Sequence, residues 1–417
     1  MERLNMMMKS IFLTILVSSL FVSFASARVE VHPTFFVAEE YNDNIYLSEN
    51  DQQDDWITTI EPGIDVRIDS RWIDLSLDYS FRYDYYLKND DLTDFDFAGG
   101  QRANLGTTFF EGRPFTLSVL AIISRETLDE REASSVTNEL INKSTVYDYT
   151  VNPQYRFRLG GQSSLVFGYI YERTDHEDSR GDDSQGHSGR VSLIRELSTN
   201  TQISANYTYK MNISDDEEDY NEQSYTLGLN QQLGPRTEIS LEGGFSTIAY
   251  VDIDDDDGES LTWSTDISYR LSAPITLSLM FSQDFDNSAT DGLTKSRDAS
   301  FRINYSKDSF GAGLEAYLDQ TDYLRSARED ESYGGRFNLS FPLYSNLSTD
   351  LDAEYEVSDF IGAIDKNVDQ YSVGASLHYN IRRFLTSLSY EHRVYDSDIN
   401  TQDYTENTVT LSASVRF

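Results

Sequence analysis

Residues 73–84 read Ile-Asp-Leu-Ser-Leu-Asp-Tyr-Ser-Phe-Arg-Tyr-Asp, apolar and polar in strict turn. A period of two belongs to a β-strand, whose successive side chains point to opposite faces. Ile73, Leu75, Leu77, Tyr79, Phe81 and Tyr83 then share one face. Asp74, Ser76, Asp78, Ser80, Arg82 and Asp84 share the other. Further along, Leu347, Leu351, Ala353, Tyr355 and Val357 oppose Ser348, Asp350, Asp352, Glu354 and Glu356, and Leu377, Tyr379 and Ile381 oppose Ser376, His378 and Asn380. The last nine residues, VTLSASVRF, set Val409, Leu411, Ala413, Val415 and Phe417 against Thr410, Ser412, Ser414 and Arg416.

Short links and long polar loops separate these segments in alternation. The short links sit at Asp69-Ser70-Arg71, Gly112-Arg113-Pro114, Gly160-Gly161, Ser198-Thr199-Asn200, Gly234-Pro235, Ala273-Pro274, Lys307-Asp308-Ser309, Tyr344-Ser345-Asn346 and Arg382-Arg383. Most are built from Gly, Pro, Ser, Asn or Asp, the residues that form tight turns. Between them lie acidic stretches such as NDNIYLSENDQQDD, TDHEDSRGDDSQ, DIDDDDGES and the segment around Asp129 to Asn142. From about residue 160 onward the spacing is nearly constant, so the repeating unit is one β-hairpin. Running the pattern from a first strand at Val29–Tyr41 to a last at Thr405–Phe417 predicts twenty strands. His32-Pro33 and Glu61-Pro62-Gly63 interrupt regular pairing in the first two, which leaves eighteen as the alternative.

A repeat of two-faced hairpins with even parity, short turns on one side and long loops on the other predicts an all-β, transmembrane antiparallel up-and-down β-barrel. The turns would be periplasmic and the acidic loops extracellular. The start of the chain points the same way. Arg3 and Lys9 precede an apolar run, Ile11–Phe24, followed by Ala25-Ser26-Ala27. That is the pattern of a Sec signal peptide cut before Arg28. Residues 1–27 are expected to be the signal and residues 28–417 a single barrel domain in the bacterial outer membrane.

Composition narrows this further. The chain has no cysteine, which removes disulfides, thiolate metal sites and a lipoprotein anchor. Asp and Glu number 71 against 33 Lys and Arg, a formal net charge of −38, and that sign excludes a nucleic-acid partner. The 28 Tyr and 23 Phe argue against the disorder that so acidic a chain would otherwise suggest. Tyrosines gather near strand ends, in FRYDYYL, YDYTVNPQY, YIYER and YTYK, as in the aromatic girdles of a barrel.

The face carrying charge is too polar for hydrocarbon and is expected to line water. Candidate lumen residues are the acids Asp74, Asp78, Asp84, Asp350, Asp352, Glu354 and Glu356. The bases are Arg82, Arg102, Arg156, Arg158, Arg190, Arg270, Arg302, Arg336 and Arg393. Columns of opposite charge facing each other across the bore would make a transverse field; neighbouring opposite charges would instead form cross-strand ion pairs. A barrel of this size encloses an aqueous channel unless a loop folds in.

Catalytic and metal chemistry find little support. DIDDDDGES misses the EF-hand template, because the obligatory Gly would fall at 257, which is Asp. His32, His176, His187, His378 and His392 are scattered, and His187-Ser188 point to opposite faces of a strand. No enzyme, metal or cofactor is expected.

The stretch 39–67 resembles the opening of the β-barrel porin-2 family in Tyr41, Asp43-Asn44-Ile45, Asp54-Asp55 and Pro62-Gly63. The later L-x-L-x-Y hairpins look like the same family. The resemblance implies a porin-like channel associated with exopolysaccharide export; it carries no catalytic or binding residues. Implied partners are outer-membrane lipid and lipopolysaccharide, a polysaccharide with a periplasmic export partner, and the barrel-assembly machinery. For the last of these, Val409, Leu411, Ala413, Val415 and the terminal Phe417 form the expected recognition signal. A structural barrel with a plugged lumen and cation-binding loops, and a general diffusion porin, are the alternative readings.

Overall fold

The computed structural model describes residues 28–417 except 94, 95, 133, 136, 137, 139, 216, 252–257, 363, 364, 400 and 401. The expected signal peptide and the Asp-rich run 252–257 lie outside the described residues. One sheet of 21 strand segments contains the rest. Two segments, Ile73–Phe81 and Tyr83–Tyr86, both pair with Asp55–Asp69, so they are one barrel strand interrupted at Arg82. The barrel therefore has twenty strands among the described residues. Each pairs antiparallel with its neighbours in sequence. The last, Tyr404–Arg416, pairs with the first, Arg28–Asn42, from Thr34↔Arg416 to Asn42↔Thr408, and the sheet closes. The closing partner is the expected one.

Eighteen strands is ruled out. Arg28–Asn42 and Asp55–Asp69 keep unbroken register over their whole length, with Pro33 opposite Ile64 and Pro62 opposite Phe35. The prolines are tolerated because each puts its missing N–H where no ladder bond is needed. Pro33 lies at the end of the closing seam, where only its carbonyl is used, accepting from the Phe417 N–H at 3.0 Å. Pro62 lies across from the break at Arg82, whose N–H instead reaches the Gly100 carbonyl at 2.7 Å. Gly63 is needed beside it, since a Cβ there would strike the Thr34 hydroxyl and the Tyr79 carbonyl.

Every short link sits at or beside a tight turn between consecutive strands. Gly161 opens the two-residue turn between Gly160 and Ser163 with a φ of 56°, and Gly160, at the register shift beside it, has a φ of 102°, both in the left-handed region that glycine adopts freely. Both Arg28 and Phe417 lie at this short-turn end.

The pairing registers carry one phase round the barrel. Leu411, Leu388, Leu377, Leu351, Leu339 and Leu314 all fall on one face, and all but the half-buried Leu339 are exposed in the isolated chain. Leu227, at mid-strand, is 69 % exposed. This is the outward, lipid-facing band. Tyr83, Tyr85, Tyr147, Tyr149, Tyr169, Tyr171, Tyr207 and Tyr209 belong to it; Tyr83 and Tyr85 lie at a strand end, whereas Tyr169 and Tyr207 stand at the middle of theirs, so the expected gathering at strand ends holds only in part. Replacing Leu227 with Arg is expected to cost about 2 to 4 kcal/mol of stability in a bilayer. The inward change Ser264→Arg should cost far less. Denaturant titration of protein refolded into lipid vesicles measures both.

Candidate permeation pathway

The opposite, inward face carries every candidate lumen residue. The registers Asp78↔Asn104, Ser80↔Arg102, Arg302↔Glu315, Glu315↔Arg336, Arg336↔Glu354 and Glu354↔Ser372↔Arg393 place them on one continuous surface. Opposite charges sit side by side along much of it and not as facing columns. Arg302 bonds Glu315 at 2.6 Å and Arg336 bonds Glu354 at 2.6 Å. Arg82 bonds Asp84 at 2.8 Å and Arg393 bonds Glu391 at 2.7 Å. The Tyr317 hydroxyl, beneath the Arg336 guanidinium, donates to Glu356 at 2.6 Å. Arg416 faces inward too and holds Asp65 at 2.9 Å; Asp65 stands opposite Asp78, whose like charge needs this compensation. Arg102 donates to the carbonyls of Gly99 and Gln101. Arg156, Arg158, Arg190 and Arg270 are exposed.

A loop crosses the bore, and its anchors were not visible in the sequence. The segment after Thr127 leaves the strand Phe115–Thr127 and returns in Lys143–Gly160, and between them it reaches the far wall. Ser135 donates to Glu406 at 2.6 Å, and Asn42 donates to the same carboxylate at 2.8 Å. The Tyr404 hydroxyl donates to the Ser134 carbonyl at 2.6 Å, and Asn138 donates to the Ile45 carbonyl at 2.7 Å. Lys366 donates to the Arg131 carbonyl and, at 2.7 Å, to the Tyr395 hydroxyl. Arg328, with its side chain 5 % exposed, bonds Asp129 of the loop together with Asp291 and Asp330, and stacks 3.9 Å over Tyr323.

Apolar contacts explain why the loop turns inward. Leu140 packs on Ile45, Ile57 and Tyr86; Ile141 packs on Leu47, Phe360, Val368, Tyr395 and Tyr404. These aromatic residues face inward at the long-loop end, a second set distinct from the outward tyrosines. Leu140-Ile141 in an otherwise polar loop was the signal available in the sequence. Burial works to lift the pKa of Asp129, but hydrogen bonds from the Arg131 side chain and backbone outweigh it and hold the carboxyl below its ordinary range. Other loops meet over the same end: Arg180 bonds Glu132, the Asp182 N–H donates to the Ala289 carbonyl at 2.7 Å, and Arg325 bonds Glu218.

One inward group resembles a hydrolase triad. His378 lies 2.8 Å from Ser387 through Nδ1 and 2.8 Å from Asp350 through Nε2, on three adjacent strands. Acyl transfer also needs donors aimed at the developing oxyanion. Ser387 pairs with both His378 and Ser412, so the ladders on either side engage the surrounding backbone N–H groups. The geometry accounts for a cross-strand polar contact. Among the described residues no cluster of three or more potential metal ligands occurs.

The fold is that of outer-membrane, porin-like barrels. The siderophore receptor PirA from Pseudomonas aeruginosa aligns with a TM-score of 0.50 at 12% identity, over 93% of this chain and 80% of the receptor. The ferric enterobactin receptor PfeA from Pseudomonas aeruginosa gives 0.52 at 12% identity, over 94% and 81%. The iron transporter FrpB from Neisseria meningitidis gives 0.50 at 9%, over 93% and 82%. At these identities the likeness concerns the fold alone. No curated protein matches the chain in sequence. The resemblance seen in residues 39–67 has its counterpart at the other end of the barrel, where residues 330–417, the last five strands, match the family described as "Putative beta-barrel porin 2".

Proposed function

We propose that this barrel is an outer-membrane channel through which saccharide, including exopolysaccharide, passes, reached after Sec export. One observation carries the channel reading: a continuous inward face of hydroxyl, amide and charged side chains lines a twenty-strand bore, while the outward face is largely apolar at mid-strand. A barrel this wide is not filled by its own side chains. Serine, threonine, asparagine and carboxylate groups offer the hydrogen-bond partners that a hydroxyl-rich solute needs in place of water. The match to a porin family supports a non-enzymatic role. Lipopolysaccharide at the acidic loops, a periplasmic export partner at the short turns and the assembly machinery are the partners this role would require.

The inward loop favours a second reading, a barrel held shut. Planar-bilayer recording and swelling of liposomes in uncharged oligosaccharides separate the two. Stepwise conductance with oligosaccharide entry is expected. Absence of conductance in both the wild type and an unlatched Arg328→Ala variant would overturn the channel and leave the structural barrel. In a deletion strain, lost polysaccharide secretion supports the saccharide reading. Normal secretion with altered small-solute uptake would make the protein a general diffusion porin.

A further inference from the structure

We propose that the channel is cation-selective, passing neutral and positively charged solutes and holding back anionic ones, because one wall of the bore carries carboxylates without basic partners. This rests on the channel reading and names the solute class it admits. The wall is formed by the strands Tyr220–Leu233, Thr237–Tyr250, Gly258–Ser272 and Ile275–Ser288. Their inward positions hold Glu222, Glu242, Asp266, Asp284 and Asp286, spread from the turn side to the loop side. Thr226 donates to Glu242 at 2.6 Å and Ser224 donates to Glu222 at 2.6 Å. None of the five carboxylates forms an ion pair among the described residues. Arg270, beside the turn, is the inward base of these strands, and Lys210 on the neighbouring strand stands in register with Glu222.

Elsewhere many inward acids are compensated, although Asp298, Asp319 and Asp352 also form no ion pair among the described residues. Arg302, Arg336, Arg393, Arg82 and Arg416 each hold a carboxylate at 2.6 to 2.9 Å, so their fields largely cancel at the scale of a passing solute. The crossing loop bonds to the Glu406, Lys366 and Arg328 walls, and none of those anchors lies on the four acidic strands. A bore lined by one sign of charge and walled by low-dielectric protein concentrates counter-ions and excludes co-ions.

The test is the reversal potential of the purified protein in a planar bilayer under a potassium chloride gradient. Wild type is expected to prefer K⁺ over Cl⁻ by at least about threefold, with the preference shrinking as salt screens the wall. The quadruple variant Glu242→Gln, Asp266→Asn, Asp284→Asn and Asp286→Asn should bring the ratio close to one while conductance persists. A wild-type reversal potential of zero or of anionic sign would overturn this inference and leave the channel standing. Absence of any conductance would overturn the channel itself and this inference with it. The wild-type sign does not depend on whether the variant folds.

Discussion

Replacing Arg328 with alanine should raise single-channel conductance several-fold and release the crossing loop. Arg328 is the most heavily engaged cation of the long-loop end, bonding Asp129, Asp291 and Asp330 from three separate chain segments while stacking on Tyr323. Its planar fork serves several carboxylates at once, which a lysine ammonium cannot reproduce. Truncation strands those carboxylates, Asp330 almost fully buried, next to one another without a counter-charge. Removing one member of such a buried network typically costs about 3 to 5 kcal/mol. The barrel ladders do not depend on this contact, so the cost falls on the loop. Bilayer recording would show larger steps, and hydrogen exchange of the segment between Thr127 and Lys143 would accelerate while the strands stay protected. Arg328→Lys should give an intermediate effect. Unchanged conductance together with unchanged exchange would show that the loop is held by its apolar contacts alone.

Deleting Phe417 should remove most of the protein from the outer membrane while leaving its intrinsic stability nearly intact. In the folded chain the residue contributes one backbone bond to Pro33 at 3.0 Å, and its carbonyl lies 2.7 Å from the His32 ring. Two hydrogen bonds at an exposed seam end are worth about 1 kcal/mol each. The nine register pairs from Thr34↔Arg416 to Asn42↔Thr408 that close the barrel survive the deletion. If Phe417 is the signal read by the assembly machinery, outer-membrane level and refolding in vitro must separate: the first falls, the second persists. Loss of both would make the residue structural, and preservation of both would remove the proposed role. Quantitative blotting of membrane fractions, beside refolding into vesicles, gives the two readouts.

The path of the loop shows why part of this protein was illegible beforehand. The strands could be read because their information is local: Ile73 to Asp84 alternate, and Gly160-Gly161 supply the backbone for the turn beside them. Even the prolines that raised eighteen strands as an alternative obey a local rule once the edge each faces is known. Ser135 and Glu406, by contrast, are 271 positions apart, and nothing near either names the other. The same holds for Asp350, His378 and Ser387, which only adjacent registers bring together. Parity alone put the charged candidates on one face of the sheet, and the registers place them on a common face. Whether two of them neutralise each other depends on register and rotamer, although the scarcity of bases on the four acidic strands, Arg270 alone, is legible in the sequence.

By itself the sequence determined the twenty-strand hairpin repeat, the separation of a charged face from an apolar one and the strand that closes the barrel, because a period of two and a turn residue act within a few positions. Only the tertiary structure decided that a polar loop crosses the bore, that Arg328 latches it, and that one wall keeps its carboxylates unpaired. Those outcomes depend on side chains brought together from across the circumference, where burial of Leu140 and Ile141 and close pairing of distant charges decide the loop's path.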